Sequence, residues 1–147
     1  MVRIELEVDR PVAEVFDYVA DFSNENEWNS VAHDVAQLNP GPVALGATFK
    51  GEYDRMGSVE YEVKEYARPD HLGGEGRAKM LTWYSTFDVS GREGGTRLVA
   101  TIDPHPRGVL RLAKPLMEMV MKGQMQKGMG NVKATLERRP ERGTADA

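Results

Sequence analysis

Cysteine is absent from this 147-residue chain. That excludes a disulfide scaffold, thiol catalysis, iron–sulfur clusters and Cys-based zinc sites. Aromatic residues are scarce at 7%, and there are only three histidines. No run approaches the roughly 20 apolar residues needed to span a bilayer. The opening Met1-Val2-Arg3-Ile4-Glu5 lacks the apolar stretch of a secretory signal, so a cytoplasmic protein is expected. Sequence signatures of catalysis are missing as well. There is no GxSxG nucleophile elbow, no Walker loop and no HExxH. Gly74-Glu75-Gly76 fails as a dinucleotide fingerprint, because Lys79 holds the place of the third glycine. No metal and no cofactor is implied.

What is present suits a single domain of ordinary composition, 40% hydrophobic and 29% charged, with a mean hydropathy of -0.51. A chain of this length can bury a substantial core without staples. The net charge of -4 conceals a division. Residues 1–106 carry 10 Lys+Arg against 19 Asp+Glu, and residues 107–147 carry 9 against 4. Methionine follows the basic part: five of the eight lie between 117 and 129.

Along the chain, Ile4–Val8 alternates apolar and charged residues, as a half-buried strand does. Asp9-Arg10-Pro11 reads as a helix start, with proline in the first turn. Val12, Val15, Phe16 and Val19 then share one helical face. A second short helix is expected from an N-cap at Ser23 to about Trp28, with Glu25 and Glu27 favoured at its positive end. Strands follow. Val31, His33 and Val35 alternate with Ala32 and Asp34. Phe49–Asp54 and Val59–Lys64 alternate again, joined by a hairpin at Arg55–Ser58. A weaker strand covers His71–Ala78. Leu81, Trp83, Ser85, Phe87 and Val89 share one face of the next, and Leu98, Ala100 and Ile102 line the last. After Pro104-His105-Pro106 the pattern becomes helical. Leu112, Leu116, Val120, Val132 and Leu136 mark an apolar stripe, and Met117, Met121, Met125 and Met129 form an i+4 row beside it. The domain is read as residues 1–139, with a disordered tail over 140–147.

The segment Val8-Asp9-Arg10-Pro11-Val12-Ala13-Glu14-Val15-Phe16-Asp17-Tyr18-Val19-Ala20-Asp21-Phe22, followed by Trp28, resembles the opening of the polyketide cyclase/dehydrase and lipid-transport family. That family belongs to the START/Bet v 1-like (SRPBCC) superfamily. Leu45–Phe49, Gly94–Leu98 and the final helix ending at Leu136-Glu137 match its recurring positions too, so the resemblance covers about residues 2–138. It implies an α+β helix-grip fold: a seven-stranded antiparallel sheet curved around a long C-terminal helix, with two short helices after the first strand. It implies a cavity between sheet and helix for a hydrophobic or amphipathic small molecule, such as a lipid, a polyketide or a quinone-like compound. A minority of the family are enzymes, and no universal catalytic motif carries over by position.

Within that frame the ligand-contact candidates are Trp28, His33, Tyr53, Tyr61, Trp83, Phe87, Met117, Val120, Met121 and Met125. Met is flexible and polarisable and suits varied apolar ligands, although the same row reads as core filling. Buried Tyr hydroxyls need partners, which a ligand can supply. Trp28 reads equally as packing that closes the helix–sheet end. His33, Tyr53 and Tyr61 are the candidate proton-transfer groups, with His33 facing inward beside Val31 and Val35 or sitting at the cavity rim. Carboxylates are expected in the outward phase of their strands. The basic helix lacks the aromatics that nucleic-acid binding wants, so no nucleic-acid partner is expected. Transient contact with an anionic membrane remains open, as do monomer and homodimer. Three functions follow: a carrier of a small hydrophobic molecule, a cyclase or dehydratase, or a protein-interaction module with a vestigial cavity.

Overall fold

The alternation in the sequence becomes a meander. In a computed structural model that describes residues 1–139, seven strands form one antiparallel sheet. They are β1 (Val2–Val8), β2 (Ala32–Gln37), β3 (Thr48–Tyr53), β4 (Gly57–Ala67), β5 (His71–Arg77), β6 (Leu81–Arg92) and β7 (Gly95–Pro106). Their order is β1-β7-β6-β5-β4-β3-β2. Each strand from β2 to β6 pairs with its successor, as sequential strands usually do, through a ten-residue loop between β2 and β3 and shorter turns after that. β1 closes on β7, with Val2 opposite Ile102 and Val8 opposite Thr96. β1 and β2 therefore lie at opposite edges of the sheet. The chain between them must cross one end of it, and does so as α1 (Val12–Ala20), a 3-10 turn (Phe22–Asn24) and α2 (Glu25–Trp28). Pro11 is the N-cap of α1, which buries Val15, Phe16 and Val19. The expected cap at Ser23 is supplied instead by Asp21, whose Oδ1 accepts from the Ser23 N–H at 3.0 Å.

A 3-10 turn (Gly108–Ala113) leads into α3 (Lys114–Glu137), with Pro115 in its first turn, where a missing N–H costs nothing. The two halves of α3 differ. Met129, Val132 and Leu136 are fully buried against the sheet and α1. The C-terminus is held by Arg10, whose buried Nε donates to the Leu136 carbonyl at 2.8 Å. Glu137 adds a bond, accepting from the Asp9 N–H at 2.9 Å. In the first half only the inner side meets the sheet, where Met117 and Met121 pack on Val59, Leu81 and Trp83. The expected stripe is interrupted there: Leu112, Leu116 and Val120 are exposed, at 89%, 61% and 45%. Only Val132 and Leu136 of that stripe enter the core. The region beneath the middle of α3 is where the site forms. The tail expected over 140–147 lies outside the described residues.

Candidate functional site

A cavity of about 120 Å³ lies between the sheet and the middle of α3, from Met121 to Met129. Each wall has a local cause. β5 supplies a flat floor because the inward residues after Leu72 are Gly74 and Gly76. A Cβ on Gly76 would sit 2.1 Å from Cε2 of Trp83, and one on Gly74 would sit 2.6 Å from the Tyr61 hydroxyl. The glycines let both rings lie across β5 and face the helix. Phe22 enters from the 3-10 turn and packs on Tyr61, with ring centroids 4.2 Å apart. Trp28 closes the end, pressed against α3 at Gly128, where a Cβ would stand 2.9 Å from the indole Cε3. Its Nε1 is buried with no hydrogen-bond partner. Met121, Met125 and Met129 form the helix side.

The polar groups of the cavity fall into two sets. Tyr61 and Ser85 share a hydrogen bond of 2.9 Å. At the α2 end, Glu25 is buried, with 8% exposure. Its Oε1 accepts from the Tyr53 hydroxyl at 2.8 Å, and its Oε2 from Asn29 Nδ2 at 2.8 Å. Burial pushes the Glu25 carboxyl up to about 6, against the opposing pull of the Asn29 and Tyr53 hydrogen bonds. Burial raises the Tyr53 and Tyr61 hydroxyls too, and the Glu25 charge adds to the rise at Tyr53. Both phenols are neutral donors at physiological pH. Glu25 is the group whose charge changes near neutrality, and it can bind a donor or take a proton from one.

The structure gathers Trp28, Tyr53, Tyr61, Trp83, Phe87, Met121 and Met125 around this space. Three candidates stand elsewhere. Met117 packs at the outer end, on the small cluster of Val59, Leu81 and Trp83. Val120 faces outward, onto a groove of about 490 Å³ shared with Met119, Gly123 and Lys127. His33 is a correction: its side chain is 52% exposed and its Nε2 lies 3.0 Å from Asp54 Oδ1. β2 is irregular between His33 and Ala36, with Asp34 at a φ of 54°. Asn26 of α2 bonds the Val35 backbone twice, at 2.9 Å each. The alternation breaks, Ala32 and Val35 turn inward three residues apart, and His33 turns out.

Glu25 escapes a reading that looks for carboxylates only in strand phase. The available signal was helical spacing. Residues at i, i+3 and i+4 share a helix face, so Glu25 accompanies Trp28 and Asn29 into the cavity. Asn29, Ser85, Phe22 and Gln124 also line it. None of them was singled out from the sequence.

A long helix held in a curved seven-stranded antiparallel sheet, with a cavity between them, defines the helix-grip class. Residues 1–137 match the family model described as polyketide cyclase / dehydrase and lipid transport, and the chain belongs to that family. Solved structures share the fold. The Zhui aromatase/cyclase from Streptomyces sp. R1128 superposes with a TM-score of 0.78 at 18% identity, over 94% of this chain and 93% of that one. The Aha1 dimer from Colwellia psychrerythraea gives 0.70 at 12%, over 93% and 96%. DynU16, from the dynemicin biosynthetic locus, gives 0.68 at 19%, over 93% of this chain. This chain spans about half of DynU16, at 47%. At such identities the likeness concerns the fold. No curated protein matches the chain. None of its described helices is long and apolar enough to cross a membrane.

Proposed function

We propose that this protein binds a small, largely apolar molecule with one polar end in the cavity under α3. The observation that carries this reading is an apolar chamber with its polar groups collected in two places, Glu25–Tyr53–Asn29 and Tyr61–Ser85. Ligand sites commonly have this character: apolar walls give affinity and a few placed polar groups give orientation. Size narrows the class. An apolar hole of about 150 Å³ holds one benzene ring, so about 120 Å³ suits a ring-sized group rather than a whole lipid tail. A longer molecule enters only if the first half of α3 moves or the tail leaves through the groove at Val120. Trp28 and Trp83 both lie in the wall and report occupancy by fluorescence. Saturable quenching by ring-sized amphiphiles is expected, and its absence would refute the reading.

Glu25 also supports a second reading, a cyclase- or dehydratase-type enzyme. A buried carboxyl near 6, hydrogen-bonded to a phenol, can serve as a general base at neutral pH. His33 is outside the cavity and has no part in it. Turnover of an aromatic polyketide precursor that is lost in Glu25→Gln, with binding retained, would separate this reading from simple carriage.

A further inference from the structure

The wall holds a carboxylate with no cation beside it. Glu25 takes its two hydrogen bonds from neutral groups, the Tyr53 hydroxyl and the Asn29 amide. Among the described residues no Lys, Arg or His lines the cavity. A buried carboxylate in that position is under-compensated, because neutral donors do not replace the hydration it has lost. Each of its oxygens has further lone-pair capacity. A ligand that brings a positive donor supplies what the protein omits, whereas a second carboxylate meets like charge in a low dielectric. The unpartnered Trp28 N–H can donate to a ligand oxygen, but one neutral N–H does not offset that repulsion.

We propose that the cavity selects ring-sized amphiphiles whose polar end is a protonated amine and rejects those ending in a carboxylate. This inference rests on the ligand-binding reading above. The groups facing Glu25 leave it in control of the pH response. Tyr53 of β3 and Tyr61 of β4 ionise only far above neutrality, and α3 presents Gln124, Met121, Met125 and Met129, none of which titrates.

The test uses three probes with one phenyl ring and different ends: 2-phenylethylamine, 2-phenylethanol and phenylacetate. Each is titrated into the whole protein and followed by tryptophan fluorescence and amide chemical shifts. At neutral pH the amine is expected to bind at least about tenfold tighter than the alcohol, and phenylacetate more weakly than either. Acidification through the Glu25 midpoint should weaken the amine and leave the alcohol unchanged. Glu25→Gln should bring amine and alcohol together. The wild-type pH series stands by itself if that variant fails to fold. An amine no tighter than the alcohol, or phenylacetate equal to the amine, overturns the inference and leaves the binding reading intact. If none of the three binds, the binding reading falls and takes the inference with it.

On the outer side of α3 the apolar residues are uncovered. Leu116, Met119 and Val120 of α3 and Val109 and Leu112 of the preceding 3-10 turn are all exposed. Among residues 107–127 stand five basic residues and a single acid. That acid, Glu118, is paired with the N-terminal ammonium, and one of the bases, Lys114, with Asp103. Residues 1–106 are acidic, so this segment sets positive charge beside an apolar face, the character of an interfacial helix. Met119 and Val120 share their groove with Trp28, Asn29, Val31 and Gln124, which also line the cavity. We infer that this face docks on an anionic lipid bilayer, with the groove at the membrane side. The whole protein is expected to sediment with vesicles containing about a third phosphatidylglycerol and not with pure phosphatidylcholine. Raised salt should release it, and the double substitution Leu112→Asp, Leu116→Asp should abolish binding. Failure to sediment, or equal binding to neutral vesicles, overturns the inference. So does a dimer that this substitution converts to a monomer, since the face would then belong to a second copy.

Discussion

Glu25→Gln keeps the shape of the side chain and removes its charge, and the consequence depends on pH. Burial lifts the carboxyl from 4.5 to about 6. A group raised in the folded state contributes its full stability below the unfolded value, where both states are protonated. That contribution disappears as pH rises through the folded value. From 4.5 to about 6, at about 1.4 kcal/mol per pH unit, wild type loses about 2 kcal/mol on going from acid to neutral pH. Glutamine has no proton to lose. The stability of the variant relative to wild type should therefore move by about 2 kcal/mol in the variant's favour between about pH 4 and about pH 7.5. Urea unfolding followed by the fluorescence of Trp28 and Trp83 gives the difference, provided the m-value is unchanged. Taking variant against wild type at each pH cancels other groups. Glu5, held low by Arg97, and Glu137, held low by Lys133, act in the opposite direction, and they do so equally in both proteins. A difference that stays flat with pH, or moves toward wild type, would show that Glu25 is hydrated or neutralised and would remove the basis for amine selection.

Gly76→Ala should displace the Trp83 ring, since its Cβ would stand 2.1 Å from the indole. A loss of about 1–3 kcal/mol is expected from such overpacking, with an altered tryptophan emission. Unchanged stability would mean that the ring does not lie across β5. Met129→Ala should cost about 2–5 kcal/mol, the range for a buried large-to-small change. Leu116→Ala should stay within about 0.5 kcal/mol, as exposed substitutions do. Denaturation midpoints check both, and equal losses would contradict the contrast between buried Met129 and exposed Leu116. His71 sits between Asp88 and Glu65, at 2.6 and 2.8 Å. Burial pulls its imidazole down, but its hydrogen bonds to Asp88 and Glu65 outweigh it and leave the value above 6.5. Its stabilisation is thus present below the unfolded value and fades as pH rises through the folded one. An NMR titration should find a midpoint above 6.5 that falls in Asp88→Asn; a midpoint that stays put would discard the pairing.

Much of the site was legible because its residues lie in regular elements. Tyr53, Tyr61, Trp83 and Phe87 follow from period two, since a strand's faces alternate whatever the rest of the fold does. Met121 and Met125 follow from the i+4 row. His33 failed at the irregularity in β2. An extra residue in a strand inverts the phase beyond it, and the cause is Asn26, a residue of another element that bonds the Val35 backbone. Leu112, Leu116 and Val120 failed for a different reason. A helical stripe predicts which residues share a face, and tertiary packing decides whether anything covers it.

By itself the sequence determined the order of elements, the phase of most strands and the membership of the family, because local periodicity and the opening motif are properties of neighbouring residues. Tertiary structure decided the chemistry. Glu25 looks like an ordinary acid at a helix start. It becomes a buried, proton-labile group only where α2 meets β3, with Tyr53 and Asn29 as its neutral partners. Burial and its effect on charge are sums over residues far apart in the chain, and no local pattern contains them.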